Sequence, residues 1–206
     1  MLFDRLCGWR DKSYLYRYVV EILKIILALT LLILHNTLSI RVLIDSIIIL
    51  PPAAMALMIF SVNSVVVLAV FFALYTLYYG MIPIAVEGCR DNSIEKRSAT
   101  FIYRHRLTIA LLLAVLIPIA SAIRMSRIIF GKLDITRVAY LIKTLPLYQH
   151  TWLEIPGIAI GIIASAYGHR EKLCTTMLAT SIAVLALAAY TETALIMGWI
   201  KPLATP

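Results

Sequence analysis

Apolar residues come in long unbroken blocks, and the polar residues are confined to short intervals between them. A helix crossing the hydrocarbon core of a bilayer takes about 20 predominantly apolar residues, within a range of roughly 17 to 25. Four blocks meet that length: Val19 to Leu38, Val62 to Val86, Leu107 to Ile123 and Leu173 to Ile200. A fifth, Thr151 to Tyr167, meets it on composition, with His150 at its lip, Glu154 in its first turn and Pro156-Gly157 directly after. The sixth, Ile47 to Phe60, is shorter and carries Pro51-Pro52, which remove two backbone donors and disfavour helix before them. It reads as a broken span, a re-entrant hairpin or an interfacial piece. The pattern predicts an all-α polytopic transmembrane helical bundle of five or six spans, one membrane domain over residues 1–206.

Two of the intervals are themselves patterned. Arg124, Arg127, Lys132, Arg137 and Lys143 are interleaved with Ile128, Ile129, Phe130, Val138 and Tyr140, which suits an amphipathic helix lying in the membrane interface. In the other, Asn92-Ser93-Ile94-Glu95 reads as a capping box that starts a short helix carrying Lys96, Arg97, Arg104 and Arg106.

Composition agrees with lipid as the solvent. Charged residues make up 15% of the 206 positions and the mean hydropathy is +0.91, whereas a soluble domain is about a quarter charged. No stretch of soluble-like composition is long enough for a separate catalytic head. The net charge of +8 belongs to intervals between apolar blocks, so its partner is the anionic headgroup rather than nucleic acid. Charges between Asp4 and Arg17 precede the first apolar block, which makes that block a retained anchor and not a cleaved signal. The distribution of Lys and Arg puts the N-terminus in the cytoplasm by nearly the same margin for five spans or six. Cys7, Cys89 and Cys174 are too far apart for a metal motif, and no disulfide framework is indicated.

Ionisable groups at membrane depth cost at least ~2.5 to 3.5 kcal/mol near a helix centre, so each needs a partner or a cavity. His150 and Glu154 are four apart, and at 100° per residue Gly157, Gly161 and Ser165 fall within about 60° of them on the same helix. The Gly157-x-x-x-Gly161 spacing, extended to Ser165, admits a second helix at close range. Pro156 frees the carbonyl of Trp152 and predicts a kink or half-helix at the polar pair. In the last block Ser181, Ala188 and Glu192 share a face. Packing that face on the glycine face brings Glu192 to His150 and Glu154, and Asn63 is a further candidate for one buried polar cluster. Two alternatives stay open: His150 and Glu154 as an i,i+4 pair at the membrane surface, and Glu192 as a carboxylate snorkelling near Lys201. His35, Arg124, Arg127 and the Trp and Tyr residues near block ends read as interface anchors.

The run Leu145-Pro146-Leu147-Tyr148-Gln149-His150-Thr151-Trp152-Leu153-Glu154-Ile155-Pro156-Gly157 resembles the stage II sporulation protein M family of polytopic membrane proteins. That family carries a P-H-G-hydrophobic-hydrophobic-E-L-P-A motif at the start of a late transmembrane helix, matched here at His150, Glu154 and Pro156. Ala188-Ala189-Tyr190-Thr191-Glu192 is similar to the family's closing A-A-hydrophobic-hydrophobic-E pattern, and Asn63 to an asparagine in an earlier span. Thr151 stands where the family has glycine, and Tyr148-Gln149 where it often has proline. The resemblance implies an integral membrane protein without an established enzymatic mechanism.

Three functions are weighed. A scaffold or assembly component, as a homo-oligomer or with a membrane-protein partner, uses the cluster of His150, Glu154, Glu192 and Asn63 to fix helix register. A small transporter or a proton or ion pathway uses the same cluster to carry charge, with Pro51-Pro52, Pro83 and Pro156 as helix breaks. An intramembrane metallohydrolase has only one histidine available and no His-Glu-x-x-His motif, so no metal or other cofactor is expected. The reading adopted is a non-enzymatic, multi-pass protein of the cell membrane.

Overall fold

The computed structural model of the protein describes residues 12–46, 50–89, 91, 93–130, 136, 139 and 149–200. All regular structure among them is helical. In chain order the helices are α1 (Lys12–Ser46), α2 (Pro52–Gly88), α3 (Ile94–Arg104), α4 (Arg106–Phe130), α5 (Thr151–Ala164) and α6 (Glu171–Ile196). By length and apolar composition Lys12–His35, Pro52–Gly88 and Glu171–Ile196 are each able to cross a membrane. The pair α3 and α4 qualifies as a fourth if counted together, with a bend of 70° between Ile94–Arg104 and Arg106–Ala120. Thr151–Tyr167 is apolar but shorter.

The expected sixth segment does not form a helix of its own. Pro51 is extended (φ −63°, ψ 150°) and Pro52 opens α2, which runs without interruption through Phe60 into the block at 62–86. Proline is tolerated there because the first helical residues have no intrahelical acceptor for their N–H groups. Residues 47–49 lie outside the described residues. Pro156 likewise leaves α5 continuous from Thr151 to Ala164, so the half-helix expected as one alternative at the polar pair does not form. The break appears instead before Pro83. Thr76–Met81 is π-helical, and the N–H of Ile82 donates to the carbonyl of Leu77. Widening that turn separates the Pro83 ring from the carbonyl four residues back, which an α turn would bring into collision.

α3 is the short amphipathic helix expected, with Ser93 as its cap: the Ser93 hydroxyl accepts from the N–H of Lys96 at 3.2 Å. α4 continues past Ile123 as far as Phe130, taking in part of the second basic interval. The rest of that interval falls outside the described residues, apart from Thr136 and Ala139.

α5 packs on α6, and both lie against α2. The core between them is built from Val67, Leu74, Tyr78, Ile158, Ile162 and Leu185, with Met55, Ile59 and Ala189 forming a second cluster toward one end. α1 packs on α2 but keeps Leu23, Ile26, Leu27, Ile33 and Leu34 exposed. The closeness of α5 and α6 depends on the two glycines. A Cβ on Gly157 would lie 3.0 Å from Leu185 Cδ2, and one on Gly161 would overlap Val67 Cγ1 and lie 2.6 Å from Ser181 Oγ. Ser181 uses that proximity to donate to the carbonyl of Gly157 at 2.7 Å. Ser165, fully buried in the 3-10 turn after α5, donates to the carbonyl of Ile162 at 2.6 Å. Gly161→Val is therefore expected to destabilise the bundle by about 1 to 3 kcal/mol through overpacking. Thermal unfolding in detergent should register that loss, while Ala183→Leu, at an exposed position on α6, should leave the transition nearly unchanged.

Candidate functional site

The polar residues of the bundle gather at its two ends. At the end where α5 begins, His150 sits at the N-cap position and Glu154 in the first turn, one helical turn apart. Glu192 lies on α6, four residues before its last residue, Ile196. Because α5 and α6 are antiparallel and close, these three side chains meet: a ring nitrogen of His150 and one oxygen from each carboxylate lie within 4.8 Å of one another. Asn63 approaches from α2, close enough for its amide to interact with the Glu154 carboxylate. All four residues suggested by the sequence are thus brought together, and the groups come from three helices.

The placement follows from local sequence. His150 and Glu154 align because α5 starts at His150, whose carbonyl accepts from the N–H of Glu154 at 2.8 Å. A carboxylate in the first turn also faces the positive end of the helix dipole. Glu192 reaches them because Ser181 and Leu185, upstream on α6, rest on Gly157 and Gly161. Among the described residues the two ion pairs are Lys24 with Glu21 and Lys96 with Asp91, both away from this cluster. Among the described residues no lysine or arginine pairs with Glu154 or Glu192. A nearby polar link, His35 Nε2 to Ser61 Oγ at 3.1 Å, ties α1 to α2, so His35 does more than anchor an interface.

The opposite end holds a polar assembly that the sequence does not disclose. Tyr79, in the π-helical turn, donates to the carbonyl of Ala166 at 2.9 Å and lies 3.3 Å from His169 Nδ1. Arg106 Nε donates to the same carbonyl at 3.0 Å, and its Nη1 to the carbonyl of Tyr103 at 3.1 Å. The guanidinium also stacks over the Tyr103 ring, 4.4 Å from its centroid. Tyr78 donates to the carbonyl of Arg106 at 3.2 Å. Helix ends leave carbonyls without intrahelical partners, and here Tyr79 and Arg106 supply donors to the turn that ends α5. Arg106 reads in sequence as a headgroup residue and the tyrosines as interface anchors. The only earlier signal is Pro83, which demands the widened turn carrying Tyr78 and Tyr79.

Cysteine use differs from expectation. Cys89, at this same end, is disulfide-bonded, while Cys174 is a free, buried thiol.

The fold and its two polar ends define an all-helical, strongly apolar bundle suited to a membrane. Comparison with protein-family models, with characterised proteins and with solved structures finds no match. The polar cluster has to be understood from its own geometry. If Asn63 and Glu154 support one another, a double-mutant cycle of Asn63→Leu and Glu154→Gln should give a coupling of ~0.6 to 1.7 kcal/mol in thermal or denaturant unfolding, the range seen for interhelical hydrogen bonds in bilayers. Additive losses would show that the bond contributes nothing to the folded state.

Proposed function

We propose that the protein is a non-enzymatic, multi-pass protein of the cell membrane, crossing it with five helical passes and acting as a scaffold or assembly component. The observation that most supports this is how its polar groups are used. Ser181 is bonded to the carbonyl of Gly157, and Tyr79 and Arg106 to the carbonyl of Ala166, while Asn63 stands beside Glu154. Each bond joins two elements of the chain, so polar chemistry fixes helix register. The similarity of His150-Glu154-Pro156 and of Ala188-Ala189-Tyr190-Thr191-Glu192 to the stage II sporulation protein M family points the same way.

Assembly also needs an outward surface, and α1 offers one. Leu23, Ile26, Leu27, Leu34 and Leu38 remain exposed along it, available to lipid, to a second copy or to another membrane protein. With Glu154→Gln or Glu192→Gln, a scaffold should keep its oligomeric state in detergent or nanodiscs. The juxtaposed carboxylates and imidazole favour a second reading, a proton or ion pathway, and that reading predicts loss of flux in proteoliposomes from the same folded variants.

The N-terminus is proposed to face the cytoplasm. Lys96, Arg97, Arg104, Arg106, Arg170 and Lys172 gather at the end of the bundle where α1 begins, which fits the positive-inside bias. The disulfide at Cys89 favours the reverse orientation, since the cytosol of most cells keeps thiols reduced. An N-terminal tag protected from protease in sealed, right-side-out vesicles is the expected result. Digestion of the tag would assign that end to the oxidising side.

A further inference from the structure

The cluster at the start of α5 has the composition and spacing of a metal site. We propose that His150, Glu154 and Glu192 bind one divalent first-row transition-metal ion, which fastens α5 to α6. The inference rests on the reading of this cluster as the lock on helix register, and it departs from the sequence expectation that no metal is used.

Ligand atoms around a zinc-sized ion lie ~2.0 to 2.2 Å from it, which places them ~3.3 to 3.6 Å apart in a tetrahedron. The three candidate atoms already lie within 4.8 Å of one another without an ion. The remaining ~1 to 1.5 Å is within the reach of rotation about the glutamate side-chain bonds. His150 and Glu154 are one helical turn apart, the spacing with which two ligands on one helix address the same ion.

Two carboxylates face each other at the end of an apolar bundle, and neither pairs with lysine or arginine among the described residues. A carboxylate brought out of water takes up a proton or gains a counter-charge, and a dication between the two supplies a counter-charge that bonds to both. Asn63 stands beside Glu154 from α2, placed to support one carboxylate as outer partners of ligating carboxylates do.

The ligand set narrows the ion. An imidazole nitrogen favours zinc, iron and similar borderline metals over calcium or magnesium, and the absence of a thiolate from the triad disfavours soft monovalent copper. Three protein ligands leave a coordination position for water or for a group from a partner. Binding requires all three groups deprotonated, so apparent affinity should fall as the pH is lowered.

The test uses the full chain, purified in detergent, stripped with chelator and titrated with Zn2+ and, separately, Mn2+. One equivalent of Zn2+ per chain is expected, with a raised unfolding temperature. Affinity should fall at least 100-fold in His150→Ala and in Glu192→Gln, and by about 10- to 100-fold in Asn63→Ala, which removes support but no ligand. No binding by the folded wild type overturns the proposal, as does equal binding by wild type and variants, which would mark an adventitious ion only. Should a variant fail to fold, zinc-edge absorption on the loaded wild type replaces it. A first shell of nitrogen and oxygen with one imidazole supports the site; sulfur or water alone overturns it. If metal binding fails while Asn63 and Glu154 remain coupled in the double-mutant cycle, the register lock stands without an ion.

Discussion

The separation of α5 and α6 is set at Gly161, where there is no room for a side chain between Val67 and Ser181. Lipid gives helices little reason to associate through hydrophobicity alone, so close backbone approach and the bonds it permits have to provide the affinity. The Ser181 hydroxyl reaches the Gly157 carbonyl only because both helices come this near. Everything at the α5 entrance inherits that spacing. Were α6 displaced outward by the width of a methyl group, Glu192 would draw away from His150 and Glu154, and two carboxylates would each need a separate solution.

The two polar ends handle their burden differently. At the Tyr79 end, the hydroxyl and the guanidinium donate to a backbone carbonyl whose helix has stopped, and the surrounding rings cover them. That is a structural use of polarity, complete within the chain. At the His150 end two carboxylates and an imidazole meet, with Asn63 beside Glu154. The first end is closed by bonds to backbone carbonyls, whereas the second brings ionisable side chains from two helices face to face.

Much of this was readable from residue spacing, for definite reasons. Lengths of apolar blocks locate α1, α2, α4 and α6 because the bilayer sets a minimum length, and the four-residue step from His150 to Glu154 is fixed by helical pitch. The contact of the Ser181 face with the Gly157 and Gly161 face followed from small residues repeating at that same pitch. Prolines were harder to read. The consequence of a proline depends on where the helix begins and on how far the turn can widen: Pro52 opens α2, Pro156 lies in a continuous α5, and Pro83 follows the π-helical turn. Arg106 and Tyr79 were opaque because their partner is a backbone carbonyl, which carries no sequence signature. Span count stays at three or four long apolar helices plus the short Thr151–Tyr167, since length and composition grade the helices without placing a membrane around them.

The π-helical turn at Thr76–Met81 affects how α2 is shaped. Such a turn takes one residue more than an α turn, yet the inward positions Val67 and Leu74 before it, Tyr78 within it, and Ile82 and Ala85 after it keep one face, since the steps between them are those of helical pitch. Loss of a single residue inside the turn would take the residues beyond it off that face, by about 100° at helical pitch. That would swing Tyr79 away from the end of α5. A one-residue deletion here would therefore do more harm than most substitutions along the same helix.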